Sequence, residues 1–403
     1  AWPALQEADT SADGLVRLNK ARSLEDFVAA QKRFVAPQQN IFFATQDGTI
    51  AFGSPALVPL RDGHDGSLPV DGANRSRIWT GFLPFDALPQ AVNPPEGILI
   101  NANNRPVGPD YPHLLGTRWP EPYRAERIQE VLESRDRHSF SDMQALQMDV
   151  VSPMARDLLP LLLAPAPAPG AASEAHGLLD SWDGDMQRDR PEPLILWAWL
   201  DALHNALFAP KLGPYYSDLP RLEPRAIKGF LERDDGTWCG AEAGSCHQLL
   251  RQTLVEALES LEANAPGAPA KLRWGDYHRA RMSHFLLGRL PVIGDLFSIE
   301  LETGGDDFTV NRATPSRDPE RRFQQVHGPG LRVVFDLANL DESAFIVTPG
   351  QSGNPFSPHF RDLAEAWRDG EMAQLVAPER AKADRLVLNP GPRFDLVCRL
   401  LLE

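Results

Sequence analysis

A change of hydrophobic periodicity along the chain is the strongest constraint on its fold. Over residues 122–290 the apolar residues recur mostly at the spacing of amphipathic helices. Residues 40–54 and the region after residue 290 contain short β-rich runs instead, bounded by Gly, Pro and Asp turns. Strands, a helical middle and strands again predict an α+β protein.

Length and charge limit the class of protein. The 403 residues are enough to bury a large core in one or two domains. The formal net charge of −15 argues against a nucleic-acid backbone or an anionic membrane as the main partner. The most apolar stretch, residues 194–208, is too short to span a bilayer. The sequence begins at Ala1 without a secretory-signal pattern, and we expect a processed product or a fragment.

Two of the three cysteines, Cys239 and Cys246, lie in the Gly-rich segment WCGAEAGSC. We expect them to form a disulfide, which indicates an oxidising compartment. The alternative is a metal site, which is less favoured because only His247 is near and a second ligand pair is missing. Cys398 lies in the apolar tail and is predicted to be a buried thiol.

Short patterns predict individual elements in the first part of the chain. Ser23, which is followed by acidic residues, is typical of a helix N-cap. Residues 40–54 predict a hairpin because two β-rich runs flank an Asp-Gly turn. The apolar run at 97–100 predicts a buried strand that ends near residue 102.

The remaining elements follow from the same kinds of pattern. Ser141 with Gln144 predicts a capping box before MQALQMDVV. Helices are predicted at LLDSWDGDM, PLILWAWLDALHNALF, HQLLRQTLVEALESLEA, HFRDLAEAWRDG and EMAQLV, and strands at FSIELETGG, DFTVNRA, LRVVFDLAN and SAFIVTPG. We expect the tryptophans at helical spacing to lie in the core: Trp182, Trp197 and Trp199.

An asparagine cluster, Asn101, Asn103 and Asn104, follows the predicted strand. The next predicted helix opens near Pro122 and carries Arg124. Amides that face a cationic helix start can stabilise an oxygen that gains negative charge. The alternative is structural, in that the asparagines cap turns and Arg124 pairs with a surface carboxylate.

The common catalytic motifs are missing from the sequence, which has no HExxH, no Walker loop and no pair of CxxC motifs. His64 and Asp65 could form a catalytic pair, but this is disfavoured because side chains that are adjacent in sequence point in different directions. Ser352 lacks the G-x-S-x-G frame and forms only a loose pair with His359. No residue stands out as an activated nucleophile, so the nucleophile of a hydrolase would lie outside this sequence.

Four motifs occur in a defined order along the chain. They are GHDG with LPV at 63–70, WTGFLPF at 79–85, NANNRP with DYP at 101–112, and PGQSG at 349–353. Together they resemble the later part of the β-chain of penicillin acylases and acyl-homoserine lactone acylases, which are N-terminal-nucleophile hydrolases. The resemblance implies a portion of a four-layer αββα sandwich with a large helical insertion. The expected segments are a helical lead (1–35), a sandwich segment with the oxyanion asparagine (36–128), a mainly helical region (129–290), and sandwich strands with C-terminal helices (291–403).

In this family a precursor cuts itself and exposes a serine at the N-terminus of the β-chain. The α-amino group of that serine acts as the base, because a free amine titrates at about 7.7–8.0. The resemblance places the serine upstream of Ala1, which has no nucleophilic side chain. The expected partners are the α-chain and the N-terminal part of the β-chain of the same precursor, and this chain alone is expected to be inactive.

The resemblance assigns roles to a few residues of this sequence. Asn103 matches the asparagine whose amide stabilises the tetrahedral intermediate, and Arg124 matches an arginine that orders the active site. Asn40 matches an asparagine that lies next to the active site in this family, and with Gln39 it is expected to border the acyl pocket. Leu15 is expected to face the same pocket.

Catalysis in this family needs no cofactor, but many members bind a structural calcium. Gly66 matches a position that gives a backbone oxygen to the ion. The carboxylate expected shortly after DYP is replaced by His113, Leu114 and Leu115, which argues against calcium in this protein.

The resemblance implies a periplasmic or secreted amidohydrolase that acts on a small acyl-amide substrate. Penicillin side chains and acyl-homoserine lactones are the alternative substrates, and they would connect the protein to antibiotic resistance or to quorum quenching. A function from another class is also open, in which the protein keeps the fold without catalysis and binds a ligand or a protein partner.

Overall fold

The computed structural model describes residues 2–73, 78–219, 221–240, 242, 244–262 and 267–375. The chain divides into two compact units. The first consists of the described residues of Ala1–Ala125, Phe335–Ser343 and Gln374–Glu403, and the second of Glu126–Val334 and Ala344–Ala373. The predicted buried thiol of Cys398 lies outside the described residues.

Helices and strands occupy separate parts of the chain, as expected of an α+β protein, with a helical middle between β-containing ends. The helices are α1 (Ser11–Leu18), α2 (Leu24–Gln31), α3 (Tyr123–Glu133), α4 (Phe140–Gln147), α5 (Pro153–Leu162), α6 (Ala171–Asp180), α7 (Glu192–Leu212), α8 (Pro224–Arg233), α9 (Ser245–Glu262), α10 (Trp274–Tyr277) and α11 (Ala364–Asp369). The strands are β1 (Ile41–Ala44), β2 (Ile50–Gly53), β3 (Pro59–Leu60), β4 (Gly81–Phe82), β5 (Gln90–Val92), β6 (Arg279–Ser283), β7 (Ser298–Glu302), β8 (Thr314–Pro315), β9 (Gln325–His327), β10 (Leu331–Val334), β11 (Ala344–Val347) and β12 (Ala373–Gln374). Within the described residues, none of the helices is both long enough and apolar enough to cross a membrane.

The first unit contains a three-stranded antiparallel sheet, with β2 between β1 and β5. The predicted hairpin is confirmed, with Phe42 opposite Phe52 and Gly48 in the turn at a φ of 92°. The predicted cap is confirmed as well, because the Ser23 side chain accepts a hydrogen bond from the Asp26 N–H. A buried cluster joins α1 and α2 to the sheet through Phe27, Phe34, Ile41 and Ala51.

The prediction of a buried strand at 97–102 is wrong. Residues 98–100 are half-buried and are not assigned to a strand. A strand is defined by hydrogen bonds to a neighbouring strand, and the described residues provide no such neighbour for this segment. The apolar run is therefore an irregular segment that leads into the asparagine cluster.

The second unit is organised around α7, which is buried along most of its length and packs against α9. Trp197 and Trp199 on α7 are 2% and 1% exposed, and Trp182 is 6% exposed, so the prediction that they lie in the core is confirmed. The indole N–H of Trp199 donates to the Leu250 carbonyl on α9 at 3.1 Å. This bond satisfies the one polar atom of the ring inside the core.

A four-stranded sheet in the second unit has the strand order β7-β6-β9-β8. Its β6 and β7 are antiparallel, whereas β6 and β9 are parallel. Separately, β10 and β11 form an antiparallel pair. The strands predicted at FSIELETGG, LRVVFDLAN and SAFIVTPG are confirmed by β7, β10 and β11.

Four other predictions of local structure are corrected. The capping box belongs to Ser139 and Asp142, two residues before the predicted Ser141 and Gln144. The segment DFTVNRA forms turns, because the Asp306 carboxylate and the Thr309 hydroxyl bond to nearby backbone groups and replace a strand ladder. The predicted helix EMAQLV contains β12 instead, after Gly370 ends α11 with a φ of 77°. The helix predicted at LLDSWDGDM ends with α6, before the tryptophan.

Candidate active site

The asparagine cluster forms a tight turn in the first unit. The Asn103 N–H donates to Asn101 Oδ1 at 3.0 Å, and the Ala102 N–H donates to Asn104 Oδ1 at 3.0 Å. Asn103 has a φ of 65°, in the left-handed region that asparagine adopts more readily than most residues. The turn exposes the Asn103 side chain at the surface of the unit.

Arg124, in the first turn of α3, fixes the orientation of the Asn103 amide. Its Nη2 donates to the Ala102 carbonyl at 2.7 Å and to Asn103 Oδ1 at 3.0 Å. Because a guanidinium only donates hydrogen bonds, it must face the oxygen of the amide and not the nitrogen. The Asn103 Nδ2 therefore points away, and it donates to no residue in the part of the chain that the structure describes.

This arrangement can perform the chemistry expected of an oxyanion hole. A primary amide with its oxygen held and its N–H groups exposed can donate to an oxygen that becomes negative during acyl transfer. The donor is already oriented, so the reaction bears no cost of turning it. The side chains of Asn101 and Asn104 accept backbone N–H groups of the turn, as the structural alternative expected, and the catalytic role of Arg124 stays a prediction.

Asn40 connects the asparagine turn to the three-stranded sheet. Its Nδ2 donates to Asn101 Oδ1 at 2.9 Å, and its Oδ1 accepts from the Ser54 hydroxyl at 2.9 Å. Asn40 precedes β1 and Ser54 follows β2, so the hairpin holds both side chains. Gln38 adds a bond from its Nε2 to the Ser54 carbonyl at 3.0 Å. Asn40 thus links the first hairpin to Asn101, and its place at the acyl pocket stays a prediction.

Sequence reasoning missed the roles of Asn101 and Ser54. Asn101 Oδ1 accepts from both Asn40 and Asn103, which makes it the centre of the network. Ser54 is 3% exposed and joins the network from the end of β2. The asparagine cluster marks Asn101 in the sequence, but its bond to Asn40, 61 residues away, has no local signal, and the bond between Ser54 and Asn40 has none either.

Two predicted pocket residues are placed outside this network. Gln39 is half-buried next to Asn40 in the chain. Leu15 packs against the buried cluster under the sheet, so the structure gives it a clear packing role. Contact of either side chain with an acyl group stays a prediction.

Gly66 lies in an exposed loop with a φ of 82°. Beside it, the Asp65 carboxylate accepts from the Ser67 N–H and hydroxyl, at 2.9 and 2.6 Å. Across the described residues, the group of three candidate metal ligands that lie close together is Asp234, Cys239 and Cys246, which includes no residue of this loop. A role of the Gly66 backbone oxygen in calcium binding stays a prediction.

Cys239 and Cys246 are joined as a disulfide. The Cys246 N–H also donates to Asp234 Oδ1 at 3.1 Å. The sulfur atoms are consumed by the bond, so the alternative of a metal site at these cysteines is disfavoured. The hydroxyl of Ser352, which the sequence pairs only weakly with His359, accepts a hydrogen bond from the Asn354 N–H within the same turn.

Residues 1–383 of the chain match the family model described as penicillin amidase. The penicillin acylase 2 proenzyme of Pseudomonas sp. strain SE83 is 31% identical over 391 residues, which cover 92% of this chain and 48% of that protein. The chain belongs to the penicillin amidase family. The resemblance inferred from the four motifs is thereby confirmed.

Other members of the penicillin amidase family show the same pattern of coverage. The acyl-homoserine lactone acylase QuiP of Pseudomonas aeruginosa is 27% identical over 410 residues, which cover 91% of this chain and 47% of that protein. The chain spans about half the length of these curated relatives. Both kinds of acylase named in the sequence resemblance are thus among its relatives.

The fold is also shared with a solved member of the penicillin amidase family. The thermostable penicillin G acylase from Alcaligenes faecalis superposes with a TM-score of 0.67 at 19% identity, covering 95% of this chain and 73% of that chain. The predicted fold class is confirmed as α+β, a portion of the N-terminal-nucleophile hydrolase sandwich with helical insertion.

Proposed function

We propose that the protein to which this chain belongs hydrolyses an amide bond and releases an acyl group. Asn103 donates through Nδ2 to the oxyanion of the tetrahedral intermediate, and Arg124 keeps the amide in that orientation. The observation that carries this proposal is the pair of bonds from Arg124 to the Ala102 carbonyl and to Asn103 Oδ1, which leave Nδ2 outward. Membership of the penicillin amidase family supports it.

The nucleophile in this proposal is an N-terminal serine on a part of the precursor upstream of Ala1. Its hydroxyl attacks the amide carbonyl and its α-amino group takes the proton. The intermediate then collapses to an acyl-serine and releases the amine, and water hydrolyses the acyl-serine. Support comes from a relative that is named a proenzyme and from a chain that spans about half of its relatives' length.

Substrate and compartment are parts of the same proposal. The names of the relatives favour penicillin side chains or acyl-homoserine lactones, with Asn40, Gln39 and Leu15 near the acyl group. The disulfide of Cys239 and Cys246 favours an oxidising compartment such as the periplasm. Gly66 is left as a weak backbone ligand for calcium, and no step of the reaction depends on it.

A panel of amides tests the proposed activity. Full-length protein and the isolated chain of residues 1–403 are each assayed on a chromogenic acyl anilide, a penicillin and a long-chain acyl-homoserine lactone. We expect turnover of at least one substrate by the full-length protein and none by residues 1–403. Turnover by residues 1–403 alone would contradict the upstream serine. Correctly processed full-length protein that turns over none of the three would favour the non-catalytic, ligand-binding alternative.

A further inference from the structure

Arg332, on β10 in the second unit, is a buried arginine at 4% exposure. Its Nη1 donates to the Trp367 carbonyl at 2.6 Å, and its Nη2 donates to Asn311 Oδ1 at 2.7 Å. The guanidinium also lies 4.9 Å from the centre of the Trp367 ring. Each of these partners is electrically neutral.

The positive charge of Arg332 is not balanced by a carboxylate among the described residues. Its Nε has no hydrogen-bond acceptor there either. Burial lowers the pKa of Arg332 to about 10, whereas the bond to Asp149 raises the pKa of Arg127. A buried charge without a counter-ion is strongly unfavourable, so the protein gains from any anion that can reach it.

A cavity of about 530 Å³ is lined by Arg332 and, among others, by the exposed residues Gln187, Asp189 and Asp369. Asn311 and Thr303 add amide and hydroxyl groups to its wall. The wall carries three arginines and two aspartates, a formal charge of +1, in a chain whose net charge is −15. Asp369 is paired with Arg188 and Arg368, which line the same wall, so Arg332 is the arginine of this wall that pairs with no carboxylate among the described residues.

We propose that this cavity binds a small molecule that carries a carboxylate or a phosphate group, with Arg332 as the anchor of the oxyanion. Arginine presents parallel N–H groups that match two oxygens of such an anion. The volume lies in the range of small-molecule sites, roughly 300–1,000 Å³. The residues of this site are distinct from the asparagine turn of the candidate active site, so the inference does not depend on the proposed acylase activity.

Calorimetric titration of the full-length protein with inorganic phosphate tests the site, with total ionic strength held constant by sodium chloride. Acetate in a second series separates a preference for phosphate from one for carboxylate. We expect saturable binding of at least one anion, weakened at least tenfold by Arg332→Gln. Arg251→Gln, which removes an exposed arginine on α9, serves as the matched control and is expected to change Kd less than twofold.

A second variant protects the test against misfolding of Arg332→Gln. Gln187→Trp changes an exposed position and is expected to fill the mouth of the cavity while Arg332 stays in place. This variant should also weaken binding at least tenfold with an unchanged circular dichroism spectrum. The proposal is overturned if neither anion binds saturably to the unaltered protein, or if Gln187→Trp binds as tightly as Arg251→Gln.

Discussion

Asn103 has a constrained backbone, and its side-chain amide has a hydrogen-bonded oxygen and an outward-facing nitrogen. Its backbone N–H is held by Asn101, and its Oδ1 is held by Arg124. The Nδ2 is left toward the surface, which is the property that an oxyanion donor needs. The sequence motif predicted which residues meet here. The left-handed φ of 65° and the direction of the amide became visible only in the structure.

Arg124 acts on the proposed reaction through Asn103. In Arg124→Met the amide loses its fixed orientation, so we expect kcat to fall about 10- to 100-fold while KM changes little. Steady-state kinetics of the full-length protein measure this split. Arg118→Met removes an exposed arginine of the same unit and should leave both constants unchanged. A rise in KM with an unaltered kcat would instead assign Arg124 to substrate binding.

Asp306 is a second residue with a measurable signature. It is fully buried, and burial raises its pKa to about 7, although bonds from the Phe308 N–H and the Ser152 hydroxyl oppose the shift. In the unfolded state the pKa of an aspartate is about 3.9. Between pH 4 and pH 7 the folded state therefore holds a proton that the unfolded state has lost. Stability from this group is therefore lost as pH rises through that window.

Asp306 should lower the free energy of unfolding by roughly 1–4 kcal/mol between pH 5 and pH 8, whereas the buried His204 and His278, whose pKa values burial lowers to about 3 and about 4, act in the opposite direction. Urea denaturation of the unaltered protein and of Asp306→Asn at the two pH values isolates the share of Asp306. The stability of the unaltered protein relative to Asp306→Asn should fall by that amount, whereas its stability relative to Asp180→Asn, at an exposed position, should stay constant. An equal pH dependence of the unaltered protein and of Asp306→Asn would contradict the assignment to Asp306.

At the scale of elements, sequence patterns correctly predicted the helices and turns that depend on interactions between residues close in sequence. The periodicities of α7 and α9 and the Asp-Gly turn of the first hairpin specify their structures through neighbours a few residues away. The run at 97–100 has the composition of a strand, but strand formation depends on a distant partner that its own sequence does not reveal. In DFTVNRA, polar side chains bond to the adjacent backbone and compete with strand pairing.

The capping box of α4 yields a prediction at the same scale. The Ser139 hydroxyl accepts from the Asp142 N–H at 3.1 Å, and the Asp142 carboxylate accepts from the Ser139 N–H at 2.8 Å. Ser139→Ala should destabilise the protein by about 1 kcal/mol. Ser141→Ala, two residues into the helix, is the matched control and should cost less. Urea denaturation compares the two, and the reverse order would contradict the assignment of the cap.

At the scale of the whole molecule, membership of the penicillin amidase family predicts a nucleophile that the present chain does not contain. The two compact units each have a core of their own, in Phe27 and its neighbours and around α7. The asparagine turn offers a donor for an oxyanion, while the chain covers about half the length of its relatives. The central claim therefore concerns the full-length protein, in which Asn103 would meet a nucleophile from another part of the precursor.

The kcat of full-length Asn103→Ala on the best substrate of the amide panel tests this claim most directly. Loss of one oxyanion donor typically lowers kcat about 10²- to 10³-fold, and we expect that loss here with an unchanged thermal midpoint. Asn339→Ala, at another exposed loop asparagine, should keep the full rate. An unchanged kcat in a folded, processed Asn103→Ala protein would contradict the assignment of Asn103 to the oxyanion hole.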